Sequence, residues 1–357
     1  MDIKRKKTRK IYVGKVAVGG DAPVSVQSML MSKTEDVKSA VAEVKRLEEA
    51  GCEIVRAAVP DEAAAKSLKE IKEGINIPLV ADIHFNHKLA LMALDAGVDC
   101  LRINPGNIGS DDKVKEVVKA AKACKVPIRI GVNSGSVEEG LLTRYGGPKP
   151  AAMVESALRH VRILEENDFF DIKISIKSSS VIDTIDSYRL LSSKVDYPLH
   201  LGVTEAGTLL PGAIKSSLGI GLLLAEGIGD TIRVSLTADT VQEIKAAHEI
   251  LANLGLRKRP GVEIVSCPTC GRVQIDLVSL VERVEKRLAK VKVPLKISVL
   301  GCIVNGPGEA RESDIGIAGG NGKGVIIRKG EIVRTCKEEE LEEELMKEVE
   351  RSLRGAK

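Results

Sequence analysis

Tryptophan is absent from the 357 residues, and three Phe and four Tyr make up the whole aromatic complement. The core must therefore be aliphatic, and the stacking platforms on which single-stranded nucleic acid is bound are missing. No charge of one sign dominates either. The 54 basic and 50 acidic residues leave a net charge of +4, which argues against nucleic acid as a partner and against an acidic tail. No run of about 20 apolar residues occurs, so no transmembrane helix is expected. The basic start, Lys4-Arg5-Lys6-Lys7 with Arg9 and Lys10, has the look of a secretory n-region. The segment 11–20 that follows is broken by Lys15 and three glycines, so the apolar stretch of a signal peptide is missing. A cytoplasmic protein with no membrane partner is expected. Seven cysteines, an odd number, do not suit a disulfide framework. Three of them, Cys52, Cys100 and Cys124, lie in apolar surroundings and are expected to be buried, inert thiols.

What is present has a regular rhythm. Short β-branched runs occupy residues 24–27, 54–57, 79–82, 100–103, 128–132, 172–175, 199–203 and 231–234. Amphipathic helical patterns separate them: in 35–50 the apolar Val37, Val41, Val44 and Leu47 recur at steps of three or four, and Gly51 follows as a stop. Residues 90–97, 114–123, 153–164 and 241–254 behave alike. Eight such units predict an α/β fold, a (β/α)8 TIM barrel. No Gly-x-Gly-x-x-Gly follows the first strand, so a dinucleotide-binding open sheet has little support. The chain exceeds the size of one core. The basic connector 255–261 places the boundary between residues 1–256, a substrate-binding barrel, and residues 257–357, a small α+β domain.

A barrel gathers its chemistry at the C-terminal ends of its strands. Arg56 lies on the second strand, Asp82 and His84 at the end of the third, and Arg102 and Asn104 on the fourth. The fifth carries Arg129 and Asn133, and the sixth Lys173, Ser175 and Lys177. His200, Thr204 and Glu205 follow on the seventh, Arg233 and Ser235 on the eighth. Spacings of two put paired residues on one face of a strand. Arg56, Arg102, Arg129, Lys173, Lys177 and Arg233 are thus expected to converge on one mouth, with Asp82 and Glu205 able to neutralise only two of them. Such an excess calls for a phosphate or diphosphate, each charge-assisted bond to it contributing about 1.5–3 kcal/mol.

The second domain is expected to hold strands at 262–265, 295–300, 314–318, 325–328 and 332–334, and helices at 273–289 and 338–353. Its signature is Ser266-Cys267-Pro268-Thr269-Cys270-Gly271, answered by Gly301-Cys302-Ile303-Val304-Asn305-Gly306-Pro307-Gly308-Glu309. Two cysteines two residues apart can address one metal, and a Gly-rich turn brings backbone amides close to sulfur. All five histidines precede this domain, which excludes a zinc site of three cysteines and a histidine within it. A four-cysteine zinc site using Cys336 stays open, although zinc ribbons usually present two close pairs. An iron–sulfur centre on Cys267, Cys270 and Cys302 fits at least as well, with Cys336 or Glu309 as the fourth ligand.

These segments, with Gln27-Ser28-Met29, Ala81-Asp82-Ile83-His84-Phe85, Leu101-Arg102-Ile103-Asn104-Pro105-Gly106-Asn107, Gly131-Val132-Asn133-Ser134-Gly135-Ser136 and His200-Leu201-Gly202-Val203-Thr204-Glu205, carry a resemblance over essentially the whole chain. It resembles the short bacterial form of the (E)-4-hydroxy-3-methylbut-2-enyl diphosphate synthase family of the non-mevalonate isoprenoid pathway. The resemblance implies an iron–sulfur oxidoreductase with a 4Fe–4S cluster on Cys267, Cys270, Cys302 and Glu309. The implied reaction is reductive opening of 2-C-methyl-D-erythritol 2,4-cyclodiphosphate with two electrons from flavodoxin or ferredoxin, in a head-to-tail homodimer. In that frame Arg56, Arg102, Asn104, Arg129, Asn133, Lys173, Lys177, His200, Arg233 and Ser235 hold the diphosphate. Glu205 or Asp82 handles the proton, and Asn305 contacts substrate. The competing class is a phosphate-binding barrel lyase or transferase with a structural zinc module.

Overall fold

A computed structural model describes residues 3–303 and 306–355. The chain forms two compact units, Met1–Arg257 and Lys258–Lys357.

In the first unit a short antiparallel hairpin, β1 (Ile11–Val13) and β2 (Val16–Val18), precedes eight parallel strands. These are β3 (Ser25–Met29), β4 (Ile54–Ala58), β5 (Leu79–Asp82), β6 (Cys100–Ile103), β7 (Ile128–Asn133), β8 (Ile172–Lys177), β9 (His200–Leu201) and β10 (Thr231–Ile232). Their order is β8-β7-β6-β5-β4-β3-β10-β9, and a parallel bridge from Ile174 to Leu199 closes the ring. The eight-strand barrel expected from the sequence is the fold found. Each strand leads to a helix: Val37–Glu49, Glu62–Glu73, His87–Asp95, Asp111–Cys124, Pro150–Glu165, Val181–Ser192, Leu209–Ala225 and Thr240–Asn253. Several helices begin on a side-chain cap, as where Asp36 accepts from Ser39 N, Asp61 from Ala64 N and Ser180 from Asp183 N.

Alternation along the strands sorts the side chains. Outward residues such as Val55, Ala57, Leu101, Ile103, Ile128, Ile130, Ile172 and Ile174 are buried in one aliphatic core with Val44, Leu47, Leu68 and Ile71 of the helices. Inward residues change character along the axis. At the lower end Ile54, Val80 and Cys100 pack against Ile11, Val13 and Val18, so the hairpin stoppers the barrel. Above them the inward positions become polar and charged. Cys52 and Cys100 are buried as expected; Cys124 is exposed at the C-terminal end of its helix, one turn beyond Ala121, the last residue of that helix to be buried.

The second unit is a five-stranded sheet in the order β11 (Val262–Ser266), β12 (Leu295–Leu300), β13 (Ile315–Gly320), β14 (Lys323–Arg328), β15 (Glu331–Lys337). The first three strands are parallel and the last two antiparallel to their neighbours. Helices Leu277–Leu288 and Leu341–Gly355 close its core, where Leu280, Val284, Leu288, Leu341, Leu345 and Val349 meet Ile297, Val299, Ile315, Ile317 and Ile326. The first helix begins at Leu277 rather than near residue 273. Gln274 N is drawn off to the Gly301 carbonyl, and the Asp276 side chain caps at Ser279 N.

Candidate functional site

The barrel mouth holds a cavity of about 130 Å³ lined by Arg56, Asp82, His84, Arg102, Arg129, Asn133, Ser175, Lys177, Thr204, Arg233 and Ser235. All of them are among the residues expected from the sequence at the strand ends. Asp82 is the organising carboxylate: its Oδ1 accepts from Arg102 Nη1 at 3.1 Å, and its Oδ2 lies 3.5 Å from Arg56 Nε. Arg102 is fixed further by donating from Nη2 to the Gly131 carbonyl at 2.6 Å, with the His84 ring 3.1 Å from Nη1. Two glycines make this crowding possible. A Cβ at Gly131 would stand 2.4 Å from Arg102 Nε, and one at Gly202 would stand 2.8 Å from the Arg233 carbonyl and 3.0 Å from Lys177 Nζ.

Electrostatics show what the cavity lacks. Burial, Arg56 and Arg233 push Lys177 well below its ordinary range. Burial also pulls Arg56 well down, Asp82 only partly restoring it, and lowers Arg129 to about 10. Burial alone would raise Asp82, but Arg56, Arg102 and Arg129 together outweigh it and hold the carboxyl below its usual range. Five cations therefore face one carboxylate in the cavity, and the nearest further one, Glu243, stands behind Arg233 at 3.5 Å. Nε of Arg102, Nε and Nη1 of Arg129 and Nε of Arg233 are buried without a hydrogen-bond partner. A multiply charged anion would satisfy these donors.

Four residues expected in the barrel site stand elsewhere. Lys173 and His200 point inward but are fully buried and do not line the cavity. Lys173 is two residues below Ser175 on β8 and in register with Arg129, whose longer side chain reaches the cavity where the lysine does not. Asn104 is turned into the wall, its Oδ1 accepting from Gly131 N at 2.9 Å. Glu205 is exposed just beyond β9, in left-handed backbone with φ 52° that only a few non-glycine residues adopt.

Two buried glutamates escaped the sequence reading. Glu243 accepts from Ser28 Oγ and Leu236 N, both at 2.9 Å, and backs Arg233. Glu43 accepts from the Met31 and Ser32 amides and from Thr240 Oγ1, and so holds the loop after β3. Both interrupt the apolar stripe of their helix, and a carboxylate in such a stripe was the signal available.

In the second unit Cys267 follows β11 and Cys302 follows β12, two adjacent strands in register through Ser266 and Val299. Gly301 N donates to Cys267 Sγ at 3.3 Å. Val273 N donates to the Cys270 carbonyl and Gln274 N to the Gly301 carbonyl, both at 3.0 Å, which ties the two cysteine loops together. Cys270 and Glu309 are exposed, Cys302 half-buried; Asn305 lies outside the described residues. Among the described residues no group of three His, Cys, Asp or Glu is close enough to hold a metal ion. The donor set still suits an iron–sulfur centre: free thiols at neighbouring strand ends, with a backbone amide already aimed at one sulfur. Cys336 does not share that place. It sits on β15, three strands beyond β12, at roughly 14 Å for strand spacings near 4.8 Å.

Fold and site together define a parallel eight-stranded barrel protein with an anion-seeking mouth, followed in the chain by a small thiol-bearing α/β unit. The chain belongs to the GcpE family: the GcpE TIM-barrel domain matches residues 8–248 and the GcpE protein C-terminal domain residues 263–351. It is 60% identical over 349 residues to the 4-hydroxy-3-methylbut-2-en-1-yl diphosphate synthase (flavodoxin) of Maridesulfovibrio salexigens, covering 98% of this chain and 97% of that one. It is 62% identical over 346 residues to the protein of the same name from Clostridium perfringens, covering 97% and 99%. The like-named protein of Caldanaerobacter subterraneus subsp. tengcongensis is 58% identical over 350 residues, with 98% of each covered. No helix among the described residues is long and apolar enough to cross a membrane.

Proposed function

We propose that this chain is a 4-hydroxy-3-methylbut-2-en-1-yl diphosphate synthase acting in the cytoplasm. It opens 2-C-methyl-D-erythritol 2,4-cyclodiphosphate reductively, taking up two electrons and two protons and releasing one water. Flavodoxin, which the relatives' names carry, is the proposed electron donor. One observation carries the reading: five cations converge on a cavity containing a single carboxylate. A diphosphate is the charge such a cavity is built to receive.

Arg56, Arg102, Arg129, Lys177 and Arg233 bind the diphosphate, with Asn133, Ser175 and Ser235 completing the wall. Asp82 stays ionised because two arginines hold it so; it orients them and is poorly suited to give a proton at neutral pH. Of the two carboxylates expected to handle the proton, this favours Glu205, which lies outside the cavity lining just beyond β9, as the group that protonates the departing hydroxyl. Its exposed, left-handed position at the strand end is the kind of backbone found at reacting sites. Cys267, Cys270, Cys302 and Glu309 would hold a 4Fe–4S cluster. When bound, such a cluster supplies electrons one at a time and a Lewis-acidic iron. Barrel and thiols lie in separate units, and the helix Leu209–Ala225 leaves Leu210, Ile214, Leu218 and Leu222 exposed; both support a homodimer.

The test is anaerobic turnover of the cyclodiphosphate with a chemical reductant. Brown, iron- and sulfide-containing protein that forms the linear diphosphate supports the reading; colourless protein with stoichiometric zinc and no reductive turnover overturns it. Glu205→Gln should depress kcat by at least a hundredfold while KM changes little. Unchanged kcat would remove Glu205 from the proton step.

A further inference from the structure

Met29 ends β3 as its third inward residue, after Ser25 and Gln27, and reaches the barrel mouth. Arg56 donates to its sulfur twice, from Nε at 3.2 Å and from Nη2 at 2.8 Å. Arg233 approaches the same sulfur from the other side, Nη1 standing 3.7 Å away. The sheet order explains the arrangement: β3 lies between β4, where Arg56 is the register partner of Met29, and β10, which Arg233 follows. One thioether thus joins two guanidinium groups from the flanking strands. Each arginine also has a carboxylate at 3.5 Å, Asp82 for Arg56 and Glu243 for Arg233; for Arg56 the sulfur is the nearer partner, and for Arg233 the two are at similar distance.

The chemistry of the acceptor matters. A carboxylate between the two arginines would orient them well but would cancel charge that the bound anion needs. An aliphatic side chain would leave the charge intact and orient nothing. A thioether is a weak, polarisable and uncharged acceptor, so it can fix both guanidinium planes and leave their positive charge whole. We propose that Met29 is a positioning residue of the anion site, a neutral clasp that aims Arg56 and Arg233 at the substrate diphosphate. This rests on the function proposed above and adds a determinant of affinity to it.

The test compares Met29→Leu, which keeps size and polarity but has no acceptor, with Met29→Gln, a neutral acceptor of similar reach, and Met29→Glu, a charged one. Full-length, cluster-reconstituted protein is assayed anaerobically for kcat and KM, and binding of inorganic pyrophosphate is measured calorimetrically without turnover. The leucine variant should fold, since Leu and Met exchange readily in packed sites. Its KM and its Kd for pyrophosphate should rise about fivefold, with kcat within about twofold. The glutamine variant should recover to within about twofold of the parent. The glutamate variant should bind more weakly than the leucine variant, although it is the strongest acceptor. Leucine indistinguishable from the parent, glutamine no better than leucine, or a loss confined to kcat would each overturn the clasp. Parent protein that binds no pyrophosphate overturns both the clasp and the function beneath it. Parent that binds and turns over while the leucine variant matches it overturns the clasp alone.

Discussion

Asp82 carries a burden out of proportion to its size, because it is the carboxylate within reach of both Arg56 and Arg102. Asp82→Asn leaves two buried guanidinium groups facing each other uncompensated. Stability at neutral pH should fall by about 3 kcal/mol. The sign with pH follows from the lowered carboxyl: its contribution is present at neutral pH and is lost as acid protonates it, below the ordinary carboxylate range. Pyrophosphate should raise the melting temperature of the asparagine variant more than that of the parent, since the anion replaces the missing charge. Calorimetry with and without the ligand reads both effects, and equal ligand shifts in the two proteins would count against a shared charge balance. Lys173 runs the other way. It is fully buried with Nζ unpartnered, and burial lowers it to about 8. The unfolded chain therefore holds more protons than the folded one between about pH 8 and the ordinary lysine range, so the penalty is largest below pH 8 and fades above it. Lys173→Met should stabilise the protein by up to about 3 kcal/mol at pH 7 and by much less at pH 10. Thermal melts at the two pH values check this, and a variant less stable at pH 7 would mean that the ammonium has a partner in solution.

Whole elements were legible because period and length agree. Strands such as Ile128–Asn133 alternate aliphatic and polar residues, and a barrel that is apolar outside and charged within needs that pattern. Depth was not legible. Lys173 and Lys177 look alike in sequence, both inward on β8, and only the stagger between strands decides which of them reaches the mouth. Nor was the sulfur between Arg56 and Arg233, because Met29 meets Arg233 across a ring closed by residues about two hundred positions apart. The thiol reading shows the same division. Local spacing pairs Cys267 with Cys270, but whether Cys336 joins them depends on sheet order, and the antiparallel hairpin of β14 and β15 carries it to the far edge. Cys336→Ser should therefore retain iron and sulfide at parental stoichiometry after anaerobic reconstitution. Cys302→Ser, at the end of β12, should lose most of both. Loss of iron in the Cys336 variant would bring that thiol into the metal site.

At the scale of the molecule, the barrel and the Lys258–Lys357 unit have separate aliphatic cores, one built on parallel strands and their helices, the other on a mixed sheet under two helices. Each core carries its own chemistry: the cations belong to the first unit and Cys267, Cys270 and Cys302 to the second. A ligand that binds only folded protein stabilises the unit holding its site, by about 2.7 kcal/mol at a hundred times Kd. Pyrophosphate should therefore raise the unfolding transition of the barrel and leave that of the smaller unit unmoved. Reconstitution of the cluster should do the reverse, and by more, since a unit of about a hundred residues has a modest core to which metal–thiolate bonding adds directly. Differential scanning calorimetry of the full chain in four states, with and without each ligand, separates the two effects. If either ligand moves a single common transition, the units unfold together and stability is shared across the chain. If each moves its own, anion binding and cluster retention can be altered one at a time by substitutions in the respective unit.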